Sequence, residues 1–235
     1  MNLIKKYFPK RGEVIDIGCG PGRYSMELLK KGYNVTLFDL SDKELQLAKN
    51  KIEAENLKAE AYICEDALKL DLLESEKYNA ILLMGPMYHV VNEDDRSKIL
   101  SEAYRILKND GIAIIAYINS WGCLKAGVTE FYEEYKDLQN IYNYLDHQEF
   151  DPEKSFTNLY MSTPPKALEE VKNAGFKVIS YAGAEGFLSG IETKIMELAK
   201  SNEDIYNNLV KVAAETCEYS QYRDATEHIH IVVRK

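Results

Sequence analysis

Short apolar runs alternate along the chain with stretches whose apolar residues recur at helical spacing. That pattern predicts strands buried on both faces, each followed by an amphipathic helix that packs against the sheet. Residues 14–17 read as the first strand. A helix over 22–31 follows, with Met26 and Leu29 on one face and Gly32 placed to cap its end. The second strand, 35–38, runs into Asp39, and Ser41 with Glu44 forms a capping box for a helix that buries Leu45, Ala48 and Ile52. Residues 61–64 and 80–84 read as the third and fourth strands. A helix over 93–107 presents Ile99, Ala103 and Ile106 on one side, and Asn109-Asp110-Gly111 turns the chain into a fifth strand over 112–118.

Beyond Asn119 the strand alternation is lost and aromatic residues crowd together: Trp121, Phe131, Tyr132, Tyr135, Tyr142, Tyr144, Phe150, Phe156 and Tyr160. This stretch, about 120–162, is expected to be a helical, aromatic-rich lid insertion over one edge of the sheet. Thr163-Pro164-Pro165 starts a helix that ends at Gly175, and 176–181 reads as the sixth strand. Additional helices fill about 190–220, and 228–233 closes the pattern as the last strand. The expected architecture is a single α/β domain over 1–235, a doubly wound, seven-stranded, mostly parallel sheet with its last strand antiparallel.

Composition narrows the partners. The chain has 235 residues and a net charge of −9, with no basic block that would hold a phosphate backbone. A small or neutral substrate is expected, and no nucleic acid. The four cysteines, Cys19, Cys64, Cys123 and Cys217, form no Cys-x-x-Cys pair, which suits reduced thiols in the cytoplasm better than zinc or disulfides. Residues 1–8 hold two lysines and no long apolar core, and no run approaches the roughly 20 apolar residues of a membrane span, so neither a signal peptide nor a membrane partner is expected.

The chemistry concentrates at 14–24, Val-Ile-Asp-Ile-Gly-Cys-Gly-Pro-Gly-Arg-Tyr. Gly18, Gly20 and Gly22 let backbone approach a ligand closely, and the helix that opens there offers unpaired N–H groups to a carboxylate or phosphate. Asp39 ends the second strand and Glu65-Asp66-Ala67 follows the third. A carboxylate accepts both hydroxyls of a ribose diol, and an acidic or aromatic surround favours a cation. Each residue also has a plain structural use: Asp39 can cap a turn, Asp66 can sit in a surface loop, Arg23 can be solvated, and Asp16 can bond neighbouring backbone.

These motifs resemble the class I S-adenosylmethionine-dependent methyltransferases of small-molecule type. The resemblance implies a Rossmann-like methyltransferase fold and S-adenosylmethionine as cofactor, with Asp16 near its ammonium, Asp39 on its ribose and Asp66 on its adenine amino group. Gly18, Cys19, Gly20, Gly22, Arg23, Leu40, Glu65, Ala67 and Met84 complete the implied cofactor-binding set. A nicotinamide-dependent oxidoreductase fits less well, because its fingerprint places the third glycine one residue later. A non-catalytic module that binds the cofactor is the other alternative.

The fourth strand delivers Gly85-Pro86-Met87-Tyr88-His89 to the edge where such sheets place their sites. This loop lacks the Asn/Asp-Pro-Pro-Tyr and Pro-Cys signatures of relatives that methylate macromolecules. His89 and Tyr88 are the catalytic candidates. Tyr117, Trp121, Tyr132, Tyr135, Tyr160 and His228 are candidate walls of the acceptor pocket, and the glycine-rich stretch 183–190 is placed to close over it. No metal site is expected, and the chain is expected to be a monomer or homodimer.

Overall fold

The structure is a computed structural model and describes residues 1–150 and 157–235. Phe156 lies outside the described residues. Helix α1 (Asn2–Tyr7) precedes β1 (Glu13–Ile17), α2 (Arg23–Lys30), β2 (Asn34–Asp39), α3 (Asp42–Ala54) and β3 (Ala61–Cys64). A 3-10 turn, Ala67–Leu72, leads to β4 (Tyr78–Leu83), α4 (Pro86–His89), α5 (Glu93–Ile106) and β5 (Leu107–Asn119). Then come α6 (Ser120–Glu130), α7 (Leu138–Asn143), β6 (Gln148–Phe150), β7 (Leu159–Ser162) and α8 (Pro164–Asn173). The chain finishes with β8 (Lys177–Gly183), α9 (Glu192–Ser201), α10 (Glu203–Thr216), α11 (Ser220–Arg223) and β9 (His228–Arg234).

The main sheet runs β3-β2-β1-β4-β5, with β9 beside β5 and β8 beyond β9. Pairs among β1 to β5 are parallel, and β9 is antiparallel to both its neighbours. The expected mostly parallel α/β sheet with an antiparallel last strand is therefore the observed one. Its side chains divide by the period of two. Ile15, Ile17, Ile81, Leu83, Ile115, Ile229 and Ile231 pack on one face with Ile99, Ala103 and Ile106 of α5 and Ala167 and Val171 of α8. Val14, Val35, Leu37, Ala80, Leu82 and Ile114 pack on the other with Leu28 and Leu29 of α2 and Ala48 and Ile52 of α3. The Ser41 side chain accepts the Glu44 N–H at 3.3 Å, but the Ser41 N–H goes to Asp39 Oδ1 instead of the Glu44 carboxylate. Only half of the expected capping box therefore forms. Gly32 takes a φ of 81° at the end of α2.

Two expectations need correction. The stretch 120–162 is not wholly helical. It includes the antiparallel hairpin β6–β7, and β7 pairs in parallel with Ile118 and Asn119, past the last partner of β4 on β5, Ile115. The local sequence of β7 has the period of a short strand, but a helical reading of its aromatic neighbours masks it. Asn109-Asp110-Gly111 does not stand before the fifth strand but is folded into β5 as a kink, with Asp110 at a φ of 61°. Leu107 and Ile112 both stay paired with β4, so the turn residues bend the strand without ending it.

Candidate functional site

The site is built where β1, β2, β3 and β4 end side by side. At the glycine turn Gly18, Gly20 and Gly22 have φ of 73°, 50° and 77°. A Cβ on Gly18 would stand 2.8 Å from Cδ of Pro86, and one on Gly22 would stand 2.9 Å from Cβ of Ala48. Those two glycines serve close packing. A Cβ on Gly20 would meet nothing within 4 Å, so this face of the turn is open to a ligand. The turn is held to β2: Gly18 N–H donates to the Phe38 carbonyl at 2.8 Å and Gly20 N–H to Asp39 Oδ2 at 2.8 Å. Asp39 Oδ1 accepts the Ser41 N–H, also at 2.8 Å. The start of α2 carries no side-chain cap and no acid in its first turn, which leaves its positive end available.

Asp16 is the unusual group. Its carboxylate is 1% exposed, Ser25 Oγ donates to Oδ2 at 2.6 Å, and Oδ1 has no partner among the described residues. Burial, with the charge of Asp39 adding and the Ser25 hydroxyl opposing, pushes its carboxyl up to about 6. A buried oxygen without a partner is costly, and an ammonium group is the partner that answers it. Asp16 beside an open Gly20 and an uncapped helix start fits the zwitterionic end of S-adenosylmethionine. The other named residues lie along the same edge. Leu40 is 71% exposed. Glu65 bonds the Asp66 N–H and Lys69, and Asp66 Oδ1 accepts the Leu68 N–H at 2.9 Å as a cap. Ala67 is half-buried in the 3-10 turn, and Cys19 is buried.

A cavity of about 630 Å³ opens next to this edge. Arg23, Tyr24 and Glu27 of α2, Met84 and Tyr88 after β4, and Ile114 and Ala116 of β5 form one side. Ala182, Glu185, His228 and His230 form another, and Leu3 and Ile4 of α1 with Val210 and Ala214 of α10 complete it. His228 Nδ1 lies 2.7 Å from Glu185 Oε1, which raises the imidazole pKa against the opposing effect of burial. His230 is held down to about 4 by burial. Among the described residues no three His, Cys, Asp or Glu side chains gather as metal ligands, and no helix is long and apolar enough to cross a membrane.

The structure does not bring every candidate to the cavity. Of the catalytic pair, Tyr88 lines it but donates its hydroxyl to the Met84 carbonyl, and burial pushes the phenol up, so it suits a wall better than a proton acceptor. His89 is exposed, sits outside the cavity, and has Nδ1 3.2 Å from the Asn158 carbonyl. Tyr117 and Tyr160 are fully buried, and their hydroxyls reach the Glu170 carboxylate at 3.0 and 3.3 Å. Trp121 Nε1 donates to the Leu145 carbonyl, and Tyr135 packs edge-on against Phe131 and Tyr144. Tyr132 is 60% exposed. The described residues of the insertion thus pack on their own rings and supply none of the cavity's lining; α1, α10 and the loop after β8 supply the cover there. Of the proposed walls only His228 is there. Tyr24, Glu185 and His230 were missed. Glu185 lay within the glycine-rich stretch 183–190, and His230 shares the face of His228 by strand alternation, so both carried a signal.

Residues 14–111 match the family model described as a methyltransferase domain. The chain is 27% identical, over 184 residues, to the carboxy-S-adenosyl-L-methionine synthase of Nautilia profundicola, covering 76% of this chain and 75% of that protein. It is 22% identical, over 239 residues, to the tRNA 5-carboxymethoxyuridine methyltransferase of Escherichia coli (strain K12), covering 99% and 84%. Among solved structures it is similar to the 1,6-didemethyltoxoflavin-N1-methyltransferase of Burkholderia thailandensis, with 1,6-didemethyltoxoflavin and S-adenosylhomocysteine bound. That likeness has a TM-score of 0.58 at 13% identity and covers 95% of this chain and 70% of that one. Fold, edge and matched segment define a methyl-transferring enzyme that uses an adenosyl sulfonium. Over residues 14–111 the chain is similar to the methyltransferase domain, and its fold is that of S-adenosylmethionine-dependent methyltransferases.

Proposed function

We propose that this chain, as a single domain over 1–235, methylates a small-molecule acceptor held in the 630 Å³ cavity. When bound, S-adenosylmethionine supplies an electrophilic methyl: the acceptor's lone pair bonds to that carbon while the carbon–sulfur pair stays on sulfur, giving S-adenosylhomocysteine. Asp16 takes the ammonium of the donor, the Gly20 face and the start of α2 its carboxylate, Asp39 the ribose hydroxyls, and Leu40 and Asp66 the adenine. Met84 and Tyr88 stand between donor and acceptor. The protein's work is alignment and exclusion of water.

The observation that carries this reading is the cavity's position. Arg23, Tyr24, Met84 and Tyr88, all beside the glycine turn, form one of its walls. Its volume fits a metabolite rather than a nucleic-acid strand. The relative named for tRNA warns that charge alone does not decide the acceptor, since proteins of this fold serve both kinds. The cytoplasm, where the donor is made, is the proposed compartment. The test is incubation with methyl-labelled donor and both a deproteinised metabolite extract and total RNA, followed by mass spectrometry. Label in a low-mass product supports the proposal; label only in RNA overturns it.

A further inference from the structure

Glu185 and His228 form the one carboxylate–imidazole contact that faces the cavity among the described residues. Their meeting follows from the topology. Strand β8 ends at Gly183, paired with Ile229 of β9, so Ala184 lies across from His228, the first residue of β9, and Glu185 follows within reach of it. The carboxylate clamps that residue twice: Oε1 lies 2.7 Å from Nδ1, and Oε2 accepts the His228 N–H at 3.2 Å. The Ala184 N–H donates to the His228 carbonyl at 2.8 Å and fixes the same segment from the other side. A carboxylate only accepts, so Nδ1 must carry the hydrogen, and the lone pair of the neutral ring falls on Nε2. No hydrogen bond to Nε2 occurs among the described residues, and the side chain is 45% exposed.

We infer that His228 is the general base of this site and Glu185 its positioning residue, and that the acceptor is therefore one whose O–H or N–H must shed a proton as it is methylated. This rests on the proposed small-molecule reading. The proton passes from the acceptor heteroatom to Nε2 as the heteroatom bonds to the methyl carbon. The resulting imidazolium is held by the Glu185 carboxylate and gives its proton to water after product leaves, so one proton is released per methyl transferred. Tertiary amines, thioethers and carboxylates, which attack with a lone pair already free, would need no such group. The charged and titratable groups that face His228 are Glu185 after β8, Glu192 at the start of α9, Glu227 just before β9 and His230 on it. Arg23 and Glu27 of α2 and the Met1 amine line the same cavity. Burial disfavours the imidazolium, and Glu185, Glu227 and Glu192 together outweigh it and raise the His228 pKa.

Nitrogen-15 NMR on the full chain tests the pair without any acceptor. The neutral His228 ring should be the Nδ1–H tautomer, and Glu185→Gln should lower its titration midpoint by about one pH unit. With methyl-labelled donor and a deproteinised metabolite extract, His228→Asn should cut labelling about a hundredfold or more. It should also lose the rise of rate with pH, while its affinity for S-adenosylhomocysteine by calorimetry stays unchanged. The labelled product should bear the methyl on an oxygen or nitrogen that formerly carried hydrogen. An Nε2–H tautomer, an unmoved midpoint, full labelling by His228→Asn, or methyl on a thioether, tertiary amine or carboxylate would each overturn the inference. If the wild-type chain binds S-adenosylhomocysteine yet labels no metabolite, the acceptor reading fails instead, and tautomer and midpoint decide the pair alone.

Discussion

Asp16 shows how a single residue can trade stability for ligand binding. Its folded-state pKa of about 6 lies above the unfolded value of 3.8, so the folded chain holds that proton more tightly. Stability from this residue is present below pH 3.8 and is lost as pH rises through 6, a loss on the order of 3 kcal/mol at neutral pH. Asp16→Asn keeps a partner for Ser25 and removes the buried charge. Thermal denaturation should show the variant to be more stable than the wild type at pH 7 and equal to it near pH 4. The same variant should bind S-adenosylhomocysteine more weakly, because an amide does not answer an ammonium. In the wild type the bound ammonium favours the ionised carboxyl, so affinity should tighten from pH 5 to pH 7 with proton release, which calorimetry in buffers of different ionisation enthalpy reads directly. His230 acts with the opposite sign. Its pKa falls from 6.5 to about 4 on folding, so its contribution is lost as pH drops below 6.5.

Among the elements, the turn between β1 and α2 separates its glycines by task. Gly22→Ala must place a methyl 2.9 Å from Ala48 at a φ of 77° and should lower the unfolding midpoint clearly. Gly20→Ala pays only for its left-handed backbone, about 1 kcal/mol, yet puts a methyl on the open face and should weaken S-adenosylhomocysteine binding. A second element-scale device ties α8 to α4. Arg96 and Glu170, with side chains 1% and 8% exposed, pair at 2.8 Å, and Arg96 Nη1 also holds the Val90 and Val91 carbonyls just after α4. Glu170→Ala leaves that guanidinium buried without its partner and should cost about 3–5 kcal/mol in urea denaturation. Tyr160→Phe removes one hydroxyl from the network and should cost about 1 kcal/mol.

At the scale of the whole molecule, what was legible in the chain was whatever depends on short-range pattern. Strand periodicity located β1 to β5, β8 and β9, and the glycine turn with Asp16 and Asp39 lay within those elements. What depends on tertiary placement was not. Tyr117 alternates correctly for a sheet residue, but only the fold reveals that it faces the Arg96–Glu170 pair. The aromatic stretch read as a lid because aromatic rings suit both a pocket wall and a packed cluster, and spacing does not distinguish the two. The cavity's cover comes from α1 and α10, joined across 212 residues by contacts such as Asn2 Nδ2 to the Ala214 carbonyl at 2.6 Å, which no local pattern announces.

The donor site underlies every functional statement made for this chain, and titration calorimetry with S-adenosylhomocysteine probes it most directly. The wild type should show one saturable site per chain, and Asp39→Ala, which loses the ribose acceptor and the tether of Gly20, should bind at least about tenfold more weakly. No binding heat from a folded wild-type chain, or equal affinity in the two proteins, would contradict it.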